Sequence, residues 1–397
     1  MANGKGTMAR WFGIALAALT VCGWSVVASA DPAAQSVGQA AFGLRVIQAL
    51  AADKPDQPNV VVSPAGLASV LAAIDLGADP AMHSAIATTL GIPAAALGEI
   101  RTGSAKLAHA AADAPLQFAG ALFVDKGVKL LAAISPKLAA TGVTVHVADL
   151  GDQSGVTAAN QWVAQQTAGL IPSILDQPPG PGTMVALNAL HFKDAWRTGF
   201  DEHGTTQRPF QLVGGSSPPV SMMHTHHSLA FRIDDKYVAV ALPYKTPGYE
   251  LVVVCALGPP QPASAYADAA TWLASADFTV GEVDLSLPSF HADLEASLLP
   301  DLDRLGLAAG HSDTAFNGFS LQAFDVADIR QNTVIKVDEK GTEAASASSA
   351  TMAPVSVPFN PPPPKLIVID KPFLFALREV NTGFVLLSGY IGNPAAP

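Results

Sequence analysis

The sequence predicts an α+β fold with helices early in the chain and sheets built mainly from its second half. Apolar residues recur at helical spacing over residues 36–52, 64–78 and 156–169. Short strand-like runs bounded by Gly, Pro and Asp dominate from residue 237 onwards. Helices and strands segregated along a chain in this way favour helices packed around large sheets.

The elements of the first half follow in order. Residues 36–52 are predicted to be a helix, and residues 58–62 a short β-rich run. Ser63-Pro64 then marks the start of a second helix, because proline suits the first helical turn. This helix is apolar nearly all round and is expected to be buried. Further along, the patterns predict a strand over 116–127, an amphipathic helix over 156–169 ended by Gly169, and a strand over 183–196.

The second half predicts six strands, and the chain as a whole predicts one domain. The strands cover residues 237–244, 249–257, 280–290, 330–341, 365–377 and 383–392. The chain has 397 residues, of which 49% are hydrophobic and 14% charged, which is ample material for a large core. No composition shift or internal repeat divides residues 31–397, so a single domain is expected there.

The first 30 residues predict a secretory signal peptide. Lys5 and Arg10 precede the apolar run 11-WFGIALAALTVCGW-24, and 28-ASA-30 supplies small residues before Asp31. A buried helix or a membrane anchor is the alternative, but the run is short for a membrane span. Lipid attachment at Cys22 is a minor alternative. We therefore expect cleavage after Ala30 and export to the periplasm or the extracellular space.

Charge and cysteine content exclude several classes of function. Loss of Lys5 and Arg10 with the signal leaves 20 basic and 33 acidic residues, a net charge of −13, and no Lys/Arg cluster. Nucleic acid, heparin-like polyanions and anionic membranes are therefore not expected partners. Cys255 is the one cysteine outside the signal, so no internal disulfide is expected. Its apolar surroundings in 251-LVVVCALG-258 indicate a buried thiol and not a nucleophile.

Catalytic and metal motifs are weak. The chain lacks G-x-S-x-G, H-E-x-x-H, P-loop and G-x-G-x-x-G patterns, so an enzyme is disfavoured and no cofactor is expected. The best metal candidate is 224-HTHH-227, where His226 and His227 would point apart on a strand. No Cys or acidic ligand lies nearby in the sequence, so a solvated turn is favoured over a metal site. Asp234, Asp235, Asp325 and Asp328 are interpreted as turn or surface carboxylates.

The stretch 338-DEKGTEAASASSATMAPVSVP-358 has a double character. Its low complexity is typical of a flexible linker, yet it lies between two strand patterns. As a strand, residues 341–353 would place Thr342, Ala344, Ser346, Ser348, Ala350 and Met352 on one small, largely apolar face. No proline interrupts these thirteen residues, so every N–H could join a ladder. Gly341 could act as a hinge, and the stretch could therefore change from a loop to a central strand.

These residues resemble the reactive-centre loop of inhibitory serpins. The hinge-like segment is 338-DEKGTEAASA-347, and the resemblance extends over about residues 36–394. Other similar segments occur in the family's order: 59-NVVVSPAGLASVLAAIDLGA-78, 160-NQWVAQQTAGLI-171, 187-LNALHFKDAW-196, 220-VSMMH-224, 241-ALPYK-245 and 371-KPFLFALREVNTGFVLLSGYIGNP-394. Together they identify the chain as a member of the serpin family, with a composition that suggests a bacterial source.

The resemblance implies the fold and the mode of action. It implies three β-sheets, eight or nine helices and an exposed reactive-centre loop over about residues 339–360, in a monomer. A protease attacks the loop, and the cleaved loop inserts into the central sheet as an additional strand of about 40 Å. The attached protease is dragged along and is trapped as a covalent complex. The implied hinge residues are Glu339, Gly341, Thr342, Glu343, Ala344, Ala345, Ser346 and Ala347.

The bait residue follows from the family's loop length. Seventeen residues counted from Glu339 reach Val355, with Ser356 on the leaving side. A small β-branched apolar residue suits the shallow pocket of elastase-like serine proteases. Met352 is the alternative bait and would favour chymotrypsin-like enzymes. Cysteine proteases are a further possible target class.

The resemblance also assigns a sheet-opening region to Ser63, Asn188, Trp196 and Gln331. Gln331 replaces a histidine that many relatives carry, and Gly66 replaces a serine; we expect sheet opening to be tuned, because the Gln331 amide can still form hydrogen bonds. The proline run 361–364 departs from the family pattern, and its stiffness suggests a distal anchor for the loop. The alternative functions are a non-inhibitory binding or chaperone protein and an enzyme that uses the histidine cluster.

Overall fold

Two hydrogen-bonded sheets organise the computed structural model, which describes residues 32–54, 57–109, 114–167, 169–274, 277–342 and 363–396. The α-helices are α1 Pro32–Asp53, α2 Pro64–Ile74, α3 Pro80–Leu90, α4 Leu97–Ala108, α5 Ser135–Ala139, α6 Gln153–Gln166, α7 Ala270–Ala274 and α8 Leu299–Arg304. The strands of the first half are β1 Asn59–Val62, β2 Leu116–Asp125, β3 Val143–Ala148, β4 Thr183–Phe192 and β5 Asp194–Ala195. Those that follow are β6 Thr206–Pro209, β7 Pro219–Ile233, β8 Tyr237–Pro243, β9 Tyr249–Ala256, β10 Thr279–Pro288, β11 Phe290–Ser297, β12 Asp325–Val337, β13 Gly341–Thr342, β14 Lys365–Val368, β15 Phe373–Glu379 and β16 Phe384–Ile391.

The seven-stranded sheet has the order β3-β2-β4-β12-β13-β5, with β11 paired to β12. The other nine strands follow the path β1-β16-β15-β9-β8-β7-β10-β14, with β6 paired to β7. Strand β7 pairs with β10 along most of its length and with β8 only through its last four residues. This shared strand divides the nine strands into two sheets. The predicted α+β fold with three sheets is thereby confirmed, and so is the helix number, with eight α-helices in the described residues.

Local sequence explains where the best-predicted helix begins. Ser63 precedes α2, and its hydroxyl accepts a hydrogen bond from the backbone N–H of Gly66 at 3.0 Å. Pro64 occupies the first helical position, where the missing N–H has no cost. Every residue of α2 is buried, as the apolar sequence predicts. Helices α3 and α4, in contrast, were not predicted, and α6 ends at Gln166, three residues before Gly169.

The seven-stranded sheet separates two apolar cores. One face of β4, with Met184, Ala186 and Leu190, packs in the main core. The opposite face, with Val185, Leu187 and Ala189, packs beneath α6 together with Trp162. A strand added beside β4 would therefore have one face in each core. Within the described residues, no helix has the length and apolar character needed to cross a membrane.

Candidate functional site

The centre of the seven-stranded sheet is closed by direct pairing of β4 with β12. The two strands are parallel and pair from Thr183↔Asp325 to Leu190↔Thr333. Above this point the short strand β13 enters between β12 and β5. It is antiparallel to both, with Thr342 opposite Val337 on one side and Asp194 on the other. The first two residues of the hinge-like segment therefore already occupy a strand position in the sheet.

Gly341 and Thr342 fit this position for different reasons. Gly341 has φ 155°, and a Cβ there would lie 2.2 Å from the carbonyl oxygen of Asp194, so no larger residue fits without a shift. The Thr342 side chain is buried, and its hydroxyl lies 2.6 Å from the hydroxyl of Tyr244. The predicted hinge glycine thus marks the place where the chain turns into the sheet.

The turn before the hinge is held by the segment that follows β5. Trp196 donates its indole N–H to the carbonyl of Asp338 at 2.9 Å and its backbone N–H to the carbonyl of Lys340 at 2.9 Å. The Glu339 carboxylate accepts a hydrogen bond from the Thr205 hydroxyl at 2.6 Å. The Glu339 carbonyl accepts from the N–H of Phe200 at 3.0 Å. The structure therefore brings Trp196 and Glu339 together at the upper end of the sheet.

The other three residues assigned to sheet opening form a buried network lower in the sheet. Gln331 accepts from the N–H of Ser63 at 2.7 Å and donates to the Ser63 carbonyl and to Asn188 Oδ1, both at 3.1 Å. Asn188 in turn donates to the carbonyl of Ala119 at 3.0 Å. A Cβ at residue 66 would lie 1.9 Å from Asn188 Oδ1, so Gly66 makes the space that the Asn188 amide occupies. The network ties β4, β12 and the start of α2 together.

Tyr244 and Thr205 were not identified from the sequence as site residues. Tyr244 follows β8 and lies about 100 residues before its partner Thr342, and Thr205 lies between β5 and β6. The one available signal for Tyr244 was its position inside 241-ALPYK-245, which resembles the family. Neither residue has a local pattern that indicates its partner.

The histidine cluster is placed differently from expectation. The predicted solvated turn is wrong, because residues 224–227 lie inside β7. His224 Nε2 lies 3.0 Å from Asp284 Oδ1, and His226 Nε2 lies 3.7 Å from Glu282 Oε2, so acidic residues of β10 do face the cluster. His227 points the other way and contacts the Thr225 hydroxyl at 2.9 Å. Across the described ranges, no group of three or more His, Cys, Asp or Glu side chains is placed to hold a metal ion.

The remaining chemical candidates have structural surroundings. Cys255 is buried in β9, and burial raises the pKa of its thiol to about 12, so the thiolate is not formed near neutral pH. Asp234 caps a turn by accepting from the N–H groups of Lys236 and Tyr237. Asp328 accepts from the Ser297 hydroxyl at 2.6 Å. These contacts agree with the interpretation of the carboxylates as turn and surface groups.

Several predicted site residues lie outside the described residues. They are Glu343, Ala344, Ala345, Ser346 and Ala347 of the hinge, the Val355–Ser356 bond, the alternative bait Met352, Pro361 and Pro362, and the signal segment 1–30.

Comparison with known proteins agrees with this geometry. A family model described as serpin (serine protease inhibitor) matches residues 37–394. Serpin-Z1B of Triticum aestivum is 30% identical over 399 residues, which cover 90% of this chain and 95% of the relative. A protein named serine protease inhibitor from Cyanea capillata is 28% identical over 360 residues, covering 86% and 93% of the two chains. The solved structure of thyroxine-binding globulin with thyroxine superimposes with a TM-score of 0.76 at 24% identity, covering 91% of this chain and all of that one, and shows the fold alone. The matches span nearly all of the chain after its first 36 residues, and the chain belongs to the serpin family.

Proposed function

We propose that this serpin is an exported suicide-type inhibitor of serine proteases. Its reactive-centre loop would be cleaved by a target protease and would insert between β4 and β12 while the protease is still attached. The relatives named as protease inhibitors support the class of activity. The register of β13 is the observation that supports this mode of action.

Continuation of the β13 register needs no shift on either side. Thr342 pairs with Asp194 and with Val337, and counting onwards would put Ser348 opposite both Asn188 and Gln331. Those two residues are already partners in the closed sheet. A new strand could therefore pass between β4 and β12 without either strand sliding along its axis.

The same register explains the length of the loop strand. Residues 341–353 would run from Ala195 to Thr183, which are the last residue of β5 and the first of β4. Pro354, which cannot donate to a ladder, would come directly after the end of the sheet. The proline-free length of the loop and the length of the sheet therefore agree.

Polar side chains of the loop would also meet polar groups of the sheet. In the described part of the chain the buried hydroxyl of Thr333 has no hydrogen-bond partner. Ser346 would lie opposite Thr333 in the continued register, and Ser348 would lie between the Asn188 and Gln331 amides. A hydroxyl can both donate and accept, so each serine could satisfy the group that it meets. Insertion would then exchange the Asn188–Gln331 hydrogen bond for bonds to the loop.

The chemical step belongs to the protease. Its serine oxygen would attack the Val355 carbonyl carbon, the Val355–Ser356 amide bond would break, and the new amine of Ser356 would take the proton from the protease histidine. Val355 would stay joined to the protease as an ester. Insertion has to distort the catalytic site before water hydrolyses this ester, so fast strand addition is the requirement for inhibition.

Elastase-like enzymes are the proposed target because Val355 is small, apolar and β-branched. Incubation of residues 31–397 with pancreatic elastase, followed by a denaturing gel, should give an adduct that survives heat and detergent. Mass spectrometry should find a released fragment that begins at Ser356. A fragment that begins after Met352 would move the target to chymotrypsin-like enzymes.

Two substitutions in the loop make a matched pair for the same gel. Ala344 would lie between Phe192 and Ile335, both buried in the main core, whereas Ala345 would lie between His191 and Val334, which are partly exposed. Ala344→Arg should leave cleavage intact and abolish the adduct, because a buried unpaired charge opposes insertion. Ala345→Arg should keep most of the adduct. Adduct formation by Ala344→Arg, or clean cleavage of the wild type by every serine protease tried, would contradict the proposal and favour a non-inhibitory binding protein.

A further inference from the structure

Tyr244 is fixed in place beside the hinge by aromatic contacts. Its ring stacks on Trp196 with centroids 4.5 Å apart and an interplanar angle of 21°. Phe192 meets the same ring edge-on at 4.8 Å and 68°. Tyr244 is fully buried, so the direction of its hydroxyl is set by packing and not by solvent.

The hydroxyls of Tyr244 and Thr342 form a closed pair. They lie 2.6 Å apart and both side chains are buried. Burial raises the pKa of the Tyr244 phenol well above its ordinary value, so the hydroxyl stays protonated at any physiological pH. If Thr342 left the sheet, the Tyr244 hydroxyl would stay behind in an apolar pocket without this partner. Loss of one member of a buried pair costs much more than loss of both.

Trp196 extends this contact to the turn before the hinge. The indole that stacks on Tyr244 also donates to the Asp338 carbonyl at 2.9 Å. The turn over residues 338–340 and the buried Thr342 are therefore held by two rings in direct contact. The hinge is fixed at both of its ends before any protease arrives.

We infer that Tyr244 is a positioning residue, whose hydroxyl holds Thr342 in the sheet before cleavage and so fixes the first register position of the strand to be inserted. This inference rests on the proposed inhibitory function. Growth of a strand from two fixed residues avoids the entropic cost of bringing a free end to the sheet. Tyr244 thereby favours insertion over hydrolysis of the ester in the competition that decides between inhibitor and substrate.

Amide hydrogen exchange tests the positioning without any protease. In Tyr244→Phe and in Thr342→Val, the amides of Gly341 and Thr342 should exchange about tenfold faster than in the wild type, because each change leaves one buried hydroxyl unpaired. The double variant should exchange nearly as slowly as the wild type, because it leaves none. Tyr390→Phe is the control, since it removes a tyrosine hydroxyl that bonds the Gln261 carbonyl elsewhere.

Inhibition then tests the consequence. The single variants should consume severalfold more inhibitor per molecule of elastase inactivated, with an unchanged rate of loop cleavage, and the double variant should recover. Unchanged exchange in the single variants would overturn the inference, and so would faster exchange with an unchanged inhibitor requirement. If the wild type forms no adduct with any protease, the proposed function fails, while the exchange data still decide whether Tyr244 holds the hinge.

Discussion

At the scale of single residues, the sheet-opening network shows how unusual side chains can compensate for each other. Gln331 reaches Ser63 through both atoms of its amide and Asn188 through its nitrogen. Asn188 can take part only because Gly66 leaves space for its amide. The expectation that Gln331 would keep hydrogen bonding is thus met in the closed sheet, and its effect on the rate of opening stays a prediction.

Gly66→Ala should disrupt this network. A methyl group 1.9 Å from Asn188 Oδ1 would displace an amide that is tied to Gln331 and to the Ala119 carbonyl. We expect the free energy of unfolding to fall by about 2–3 kcal/mol, measured by urea denaturation. Gly98→Ala is the matched control, since a Cβ in that helix has no neighbour closer than 3.8 Å and should be neutral or stabilising. Equal stabilities of the two variants would contradict the packing described here.

At the scale of elements, α6 covers the face of the sheet that an inserted strand would share. His146 of β3 stacks on Phe123 with centroids 4.7 Å apart and meets Trp162 of α6 at 6.4 Å. Burial lowers the pKa of His146 below its ordinary value of 6.5, so its neutral ring is part of the contact between α6 and the sheet. In the continued register Ala347 and Ser349 would lie on this face, and their small size suits the narrow space beneath a packed helix.

The lowered pKa of His146 predicts a pH dependence. Above pH 6.5 the ring is neutral in both the folded and unfolded states, so stability is unaffected. As the pH falls below 6.5 the unfolded chain takes up the proton first, and the free energy of unfolding decreases until the folded-state pKa is passed. His146→Phe should reduce the decline in melting temperature between pH 7.5 and pH 5. Part of the decline should remain, because burial also lowers the pKa of His227.

The control for this measurement is His203→Gln, which removes an exposed imidazole. It should decline with pH as the wild type does. A His146→Phe variant that follows the wild-type profile would show that this contact is not pH-sensitive.

At the scale of the whole molecule, the closed sheet is one strand short of its capacity. Two residues of β13 already lie between β12 and β5, and eleven more would complete the strand. Cleavage within residues 350–358 by a protease that is not trapped should therefore raise the melting temperature by roughly 10 °C or more, since several kcal/mol of new contacts form. The same cleavage of Ala344→Arg should give little or no increase. Cleaved wild-type protein that melts at or below the intact protein would contradict insertion.

The sequence by itself determined the features that depend on neighbouring residues. The start of α2 at Ser63-Pro64, the buried character of that helix and the hinge position of Gly341 follow from local capping, periodicity and backbone rules, and the structure agrees with each. The two-faced, proline-free segment 341–353 also follows from alternation alone. Resemblance to the family added the role of Ser63, Asn188 and Gln331, which single-residue chemistry could not assign.

Only the tertiary structure decided which distant residues meet. Tyr244 reaches Thr342 across 98 positions, Glu339 meets Thr205 across 134, and His224 meets Asp284 across 60. The mistaken turn at 224–227 and the missed role of Tyr244 have this common cause. Strand pairing and core packing join residues whose spacing along the chain has no period, so a pattern read along the sequence contains the faces of the strands but not their neighbours.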